Sequence, residues 1–192
     1  MPNLEVLIER WRAGDERAAE ALYNLHRGRV FRLSFALLGN TEDAEEAAQD
    51  AMTYALLNIH SYDSKRSKFT TWLHTITVSR SRDMLRKRRL PTVSISDWFR
   101  GTRDQKSAEP TPEQQALQSE KRGFIWAAVQ KLNPPLREAI ILRHWEGFTY
   151  REIANIVGCP IRTAQSRVRL AYQCLEKELA KADQRLLAEE RI

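Results

Sequence analysis

The chain has 192 residues and a formal net charge of +6, with 31 Lys and Arg against 25 Asp and Glu. That length holds one large domain or two small ones, and the basic balance suits a polyanionic partner without naming one. Glycine and proline number only 7 each, which disfavours turn-rich β structure, and no apolar run approaches the roughly 18 residues of a membrane helix.

The N-terminal stretch MPNLEVLIERWRAGDE is amphipathic and carries acids, unlike a secretory leader. Asp15 then precedes a long helical pattern, ERAAEALYNLHRGRVFRLSFALL, with Ala19, Leu22, Val30, Leu33 and Leu37 near helical spacing. Gly39-Asn40 breaks it. The next helix starts at a cap, Asn40 or Thr41, and its inner stripe is Ala44, Ala48, Met52, Ala55 and Ile59. Its first turns are acidic: Glu42, Asp43, Glu45, Glu46 and Asp50. The helix dipole favours acids in the first turn only. Glu46, Gln49 and Asp50 lie beyond it, which suggests a basic protein partner.

A polar loop, DSKRSK, leads into KFTTWLHTITVSRSRDMLRKRR. This helix opens on aromatics and closes in a dense basic run. Phe69, Trp72 and Ile76 read first as core, although an aromatic beside the loop could also hold an unstacked base. Arg82, Arg86 and Arg89 fall on one stripe by i, i+4, i+7 spacing, and Asp83 is expected to pair with Lys87, which leaves the stripe unneutralised for phosphates.

From Leu90 the helical period fails, and LPTVSISDWFRGTRDQKSAEP reads as a flexible linker. Thr111-Pro112-Glu113-Gln114 is a capping box that restarts order, followed by Leu117, Phe124, Ala128 and Leu132 on one face. Pro134-Pro135 ends that helix. The expectation is an all-α chain: two small helical domains, residues 1–90 and 113–182, joined by a linker at 91–112 and followed by a charged tail at 183–192.

The second domain carries a helix-turn-helix. Gly147 closes one helix, Thr149-Tyr150-Arg151-Glu152 is a capping box, and a short helix through Ile153, Ala154 and Val157 stops at Gly158. After the tight turn Gly158-Cys159-Pro160, a longer helix is expected to bury Ile161, Ala164, Val168, Ala171, Leu175 and Leu179. Arg162, Gln165, Ser166 and Arg169 share the opposite face, and no acid occurs from Pro160 to Leu175. Such side chains reach base edges and phosphates of DNA.

In this order the segments resemble the bacterial extracytoplasmic-function sigma factors, the minimal two-domain class (group 4). DAEEAAQDAM is similar to the acidic segment that binds polymerase core, the basic helix to the one that melts and reads the minus-ten element, and LNPPLREAIILRHWEGFTYREIANIVGCPIRTAQSRV to the minus-35 reading domain. The resemblance implies docking on the clamp helices and flap of RNA polymerase core, with Asp43, Glu46, Gln49, Asp50 and Thr53 on the clamp. It implies minus-ten contacts from Tyr62, Lys65, Arg66, Lys68, Phe69, Trp72, Ser79, Arg80, Arg82, Arg86 and Arg89, with Tyr62–Phe69 as a loop that captures a flipped base. It implies minus-35 contacts from Thr149, Arg162, Thr163, Gln165, Ser166, Arg167 and Arg169. The family usually has asparagine where Ser79 stands, lysine or arginine where Gln165 stands, and valine where Ala164 stands; these changes bear on the promoter read.

The implied partners are RNA polymerase core, promoter DNA and an anti-sigma factor, in the cytoplasm and without membrane insertion. No cofactor, metal or catalytic residue is implied. Cys159 and Cys174 lie far apart and make no metal-ligand spacing, as befits a reducing compartment. Two rival readings are a free-standing helix-turn-helix regulator and an enzyme on nucleic acid. The acidic patch and the second basic helix argue against the first. The scattered histidines, His26, His60, His74 and His144, and acids that sit on a helix start suited to docking argue against the second.

Overall fold

The computed structural model describes residues 4–89 and 123–189, and every regular element among them is helical. In chain order these are α1 (Leu4–Arg12), α2 (Glu16–Leu38), α3 (Thr41–Leu57), a short 3-10 turn (Ile59–Ser61), α4 (Phe69–Arg89), α5 (residues 123–131), α6 (Pro134–His144), α7 (Tyr150–Val157) and α8 (Ile161–Glu189). The linker expected at 91–112, the capping box at Thr111–Gln114 and Leu117 lie outside the described residues.

Local chemistry sets most boundaries. The Asp15 carboxylate accepts from the Arg17 backbone N–H at 3.0 Å and starts α2. Arg10 donates to the same carboxylate at 2.8 Å, and this bond holds its pKa below the ordinary value. Asn40, the cap of α3, accepts from the Asp43 N–H and donates to its carboxylate, both at 2.9 Å. Thr149 and Glu152 complete the reciprocal capping box of α7. Gly158 ends α7 in the left-handed region at φ 70°. Pro134 does more than stop α5: with Asn133 as cap, it occupies the first turn of α6, where its missing N–H is harmless.

The first domain wraps α1–α4 around Leu7, Leu22, Val30, Met52, Ile59, Phe69 and Leu73. Trp11 ties α1 to the end of α3 by donating from Nε1 to the Leu56 carbonyl at 2.8 Å. The buried stripe of α2 starts at Ala18; Ala19, expected in it, is half-buried. His26 lies in that stripe with its ring 5.0 Å from Phe69.

In the second domain α8 packs Ala164, Val168 and Ala171 against α6 and α7. Ile161 and Leu179, expected on this stripe, are 41% and 37% exposed. Ile161 sits in the first turn at the edge of the helix-turn-helix, and Leu179 lies where α8 has outrun the much shorter α6. Phe124, near the start of α5, is likewise exposed. The segment expected as a charged tail from 183 continues α8 through Glu189.

The two domains are packed together. Leu33, Ala36, Leu37 and Val78 of the first domain belong to the same apolar core as Val129, Ile140, Ile141 and Val157 of the second. Helix α2 has no basic residue in its last turn. Gln130 Nε2 and Arg137 Nη1 of the second domain donate instead to its terminal carbonyls, Ala36 O at 2.9 Å and Leu37 O at 2.8 Å. Gly39 follows at φ 79°, and any Cβ there would stand 2.5 Å from Gln130 Oε1. Glycine therefore serves both the left-handed cap and the close approach.

Burial, reinforced by the nearby charges of Arg29 and His74, pushes the His26 pKa from 6.5 down to about 4. Its neutral form is favoured in the fold, so that stability is fully present above pH 6.5 and is lost as pH falls towards 4. Urea titrations of wild type and His26→Leu over this range should diverge, with the wild type losing up to about 3 kcal/mol more. Parallel profiles would show that His26 titrates alike in both states.

Candidate nucleic-acid interface

The structure separates the candidate residues into surfaces of opposite charge. On α3, Glu46, Gln49, Asp50 and Thr53 are exposed along one face, while Asp43 is half-buried in the cap with Asn40. Glu46 is not free of contacts: Lys87 of α4 reaches it at 3.5 Å. Arg80 of α4 lies over the α3 Tyr54 ring, 4.6 Å from its centroid, in cation–π geometry. The acidic helix and the basic helix are therefore neighbours, joined at the edges of their candidate surfaces.

In the loop before α4, Lys65, Arg66 and Lys68 are exposed, and Asp63 shapes the turn by accepting from the Lys65 N–H at 2.9 Å. The aromatics flanking the loop are largely interior. Tyr62 and Phe69 are buried, and Trp72 is half-buried against them. The three rings lie 5.3–5.6 Å apart, centroid to centroid. The Tyr62 hydroxyl donates to the Ser67 carbonyl at 3.2 Å, which closes the loop. The core reading of Phe69, Trp72 and Ile76 thus fits the packing, and the side chains the loop offers to a ligand are its cations.

The basic run of α4 differs from expectation. Asp83 does not pair with Lys87. It pairs with Arg86 and, at 3.8 Å, with Arg80, because both lie one turn away while Lys87 leans across to Glu46. Nor is the stripe unneutralised. Arg82 donates from Nε and Nη2 to the two carboxylate oxygens of Glu138, at 2.8 and 2.6 Å, and from Nη1 to the Val157 carbonyl at 3.1 Å. Both partners belong to the second domain. Ser79 and Arg86 are exposed; the Arg89 side chain lies outside the described residues.

On α8, Arg162, Gln165 and Arg169 are exposed, and Thr163, Ser166 and Arg167 are half-buried beside them. Arg162, Gln165, Ser166 and Arg169 stand away from the buried stripe of Ala164, Val168 and Ala171, and Thr163 and Arg167 flank it. The Thr149 hydroxyl donates to Glu152 at 2.8 Å, and the bonds from Thr149 hold the Glu152 carboxyl below its ordinary pKa. Among the described residues no group of three or more His, Cys, Asp or Glu could hold a metal ion, and no helix is long and apolar enough to cross a membrane.

Sequence reasoning missed the residues of the domain seam: Gln130, Arg137, Glu138 and Glu146. One signal existed. Glu138 shares its helix face with Ile141 and Leu142, both buried, so a carboxylate stood on an apolar stripe where it needed a partner.

Residues 22–90 match the Sigma-70 region 2 family, and residues 125–175 match the Sigma-70 region 4 family. The RNA polymerase sigma-H factor of Pseudomonas aeruginosa is 30% identical over 179 residues, 90% of this chain and 92% of that protein. The chain belongs to the extracytoplasmic-function RNA polymerase sigma factors. The sigma factor SigW of Bacillus subtilis is 29% identical, over 90% of this chain and 94% of its own length. Among solved structures, the Bartonella quintana sigma factor RpoE, in complex with the anti-sigma factor NepR, superimposes with a TM-score of 0.64 at 26% identity, covering 84% of this chain and 96% of that one. This sigma factor directs RNA polymerase core to specific promoters in transcription initiation.

Burial divides the loop residues into two experimental groups. Phe69 is 5% exposed, and Phe69→Ala should cost about 3 kcal/mol or more of folding stability. Lys65→Ala should stay within about 0.5 kcal/mol. Chemical denaturation of both checks this, and a Phe69→Ala protein as stable as wild type would place that ring outside the core.

Proposed function

We propose that this sigma factor divides its work among the three exposed surfaces described above. The α3 face of Glu46, Gln49, Asp50 and Thr53, with Asp43 at its edge, docks on the clamp helices of polymerase core. Lys65, Arg66 and Lys68 of the loop, with Ser79, Arg80, Arg82, Arg86 and Arg89 of α4, contact the minus-ten element. The helix-turn-helix contacts the minus-35 element through Arg162, Gln165, Ser166 and Arg169, supported by Thr149, Thr163 and Arg167. The working units are residues 1–90 and 113–182, with 91–112 as their tether and 183–192 as a charged end.

The observation that carries this reading is the segregation of charge: exposed acids on one face of α3, exposed cations along the loop, α4 and α8. DNA would be repelled by the first and attracted by the others, so one molecule is equipped for a protein partner and a nucleic acid at once. Base extrusion at the minus-ten element costs a few kcal/mol per base, which binding supplies without nucleotide hydrolysis. The factor works by binding, without catalysis or cofactor, in the cytoplasm where polymerase acts. A relative crystallised with an anti-sigma factor supports a regulator of that class as a further partner.

The docking assignment is tested by Glu46→Lys with Asp50→Lys. Both sites are exposed, and the Lys87 contact is a surface pair worth less than about 1 kcal/mol. Helicity should be kept while affinity for core polymerase falls below detection in a pull-down or by anisotropy. Wild-type polymerase affinity in a folded double variant would remove α3 as the docking face.

A further inference from the structure

We propose that Glu138 is a built-in substitute for promoter phosphate, which closes the second domain over the Arg82 side of α4 and holds the free chain in a conformation that DNA must open. The inference rests on the assignment of α4 to minus-ten DNA made above. It begins from the geometry of one ion pair. Both Glu138 oxygens meet the Arg82 guanidinium, at 2.8 and 2.6 Å, and the Glu138 side chain is only 6% exposed. This fork is the arrangement in which a guanidinium also takes two phosphate oxygens. A carboxylate from one domain therefore fills the anion site of a helix in the other.

The surroundings agree. A cleft of about 520 Å³ is lined by Ser79, Arg82 and Arg86 of α4 and by Glu138, Val157 and Arg167 of the second domain. The basic side of α4 thus faces the second domain across a narrow gap, with guanidinium groups on both walls. A second cross-domain link lies nearer the start of α4, where His74 Nε2 donates to Glu146 at 2.9 Å and Arg29 of α2 approaches the same oxygen at 3.5 Å. That bond to His74 holds the Glu146 carboxyl below its ordinary pKa. Phe35 stacks on Trp126 across the same seam, with centroids 5.2 Å apart and rings 9° from parallel.

Promoter geometry forbids this conformation at work. Elements centred near minus-ten and minus-35 are about 25 base pairs apart, which is about 85 Å at 3.4 Å per pair. Two domains that share one apolar core do not span that distance. The tether at 91–112 reaches about 75 Å if fully extended, and each domain adds a radius of about 13 Å, so the chain length permits the separation. Opening exposes Arg82 and Glu138 together, and phosphate then takes the place of the carboxylate. An ion pair inside one domain would have no such exchange available; this one joins units connected by a tether. Closed chain and bound DNA compete for one guanidinium, so that every contact that stabilises closure weakens DNA binding by the same factor.

The test uses the full chain carrying Cys159→Ser, with donor and acceptor dyes on Cys174 and on Glu20→Cys, both exposed positions. Energy transfer reports closure, and anisotropy with a fluorescein-labelled single strand of randomised sequence reports polymerase-free DNA binding. Glu138→Gln should lower the transfer efficiency and tighten DNA binding tenfold or more, within the roughly 5- to 150-fold that coupled sites commonly show. Arg82→Ala should open the chain without tightening. The exchange Arg82→Glu with Glu138→Arg should restore closure, which decides the matter if either single variant fails to fold. A Glu138→Gln chain as closed as wild type, or an exchanged pair that stays open, would overturn the clasp. If Glu138→Gln opens the chain but leaves DNA affinity unchanged, the competition is refuted. Transcription with core polymerase then separates the two readings: Arg82→Ala chains of undiminished activity would refute the minus-ten role of Arg82 as well, whereas lost activity would leave that role standing.

Discussion

Helix α2 ends without a cation of its own, and the second domain supplies the donors its last carbonyls lack. Gln130 and Arg137 take up Ala36 O and Leu37 O, Gly39 leaves them room, and the apolar core continues across the join. Buried carbonyls without donors cost more than the bonds themselves gain. The seam is therefore held by a demand for satisfaction as well as by apolar burial. Everything that distinguishes this molecule from two tethered bundles depends on that seam, including which face of α4 water reaches.

Helix α4 carries the conflict that results. One side is interior to the first domain through Phe69, Leu73 and Ile76. Another gives His74 and Arg82 to the second domain. What remains exposed is Ser79, Arg86 and Lys87, with Arg80 resting on Tyr54. A helix rich in arginine can meet carboxylate or phosphate with the same fork. In the compact chain the fork of Arg82 is filled by the carboxylate of Glu138. Replacing a buried ion pair by another charged partner avoids the large penalty of leaving either charge alone.

What the sequence made legible was local. Thr149 was readable as a cap and Asn40 as one of two candidates, because capping is settled within three or four residues, and the structure places both there, with Asp15 as a further cap at α2. The helix-turn-helix was readable from Gly158 and the spacing of Ala164, Val168 and Ala171. Legibility failed where a partner lay far along the chain. The partner of Asp83 was sought at Lys87, but Lys87 had Glu46, 41 residues away, within reach. Arg82 looked available because Glu138, 56 residues on, cannot be paired with it by periodicity. Leu179 fitted the stripe of α8, but helical spacing says which face a residue occupies and not where the neighbouring helix stops. The exposed cations of the loop and of α8 were legible as candidates. The burial of Tyr62 beside them was not, since an aromatic at a loop reads equally as core or as ligand contact.

The central claim is that this chain selects start sites for RNA polymerase through two separated DNA contacts. In vitro transcription from a library of genomic fragments, with core polymerase in the presence and absence of the full chain, tests it most directly. The account predicts transcripts that require both proteins and begin downstream of a shared pair of elements spaced as minus-35 and minus-ten. Duplex binding that is equally tight without polymerase, together with no start site that depends on the chain, would contradict it.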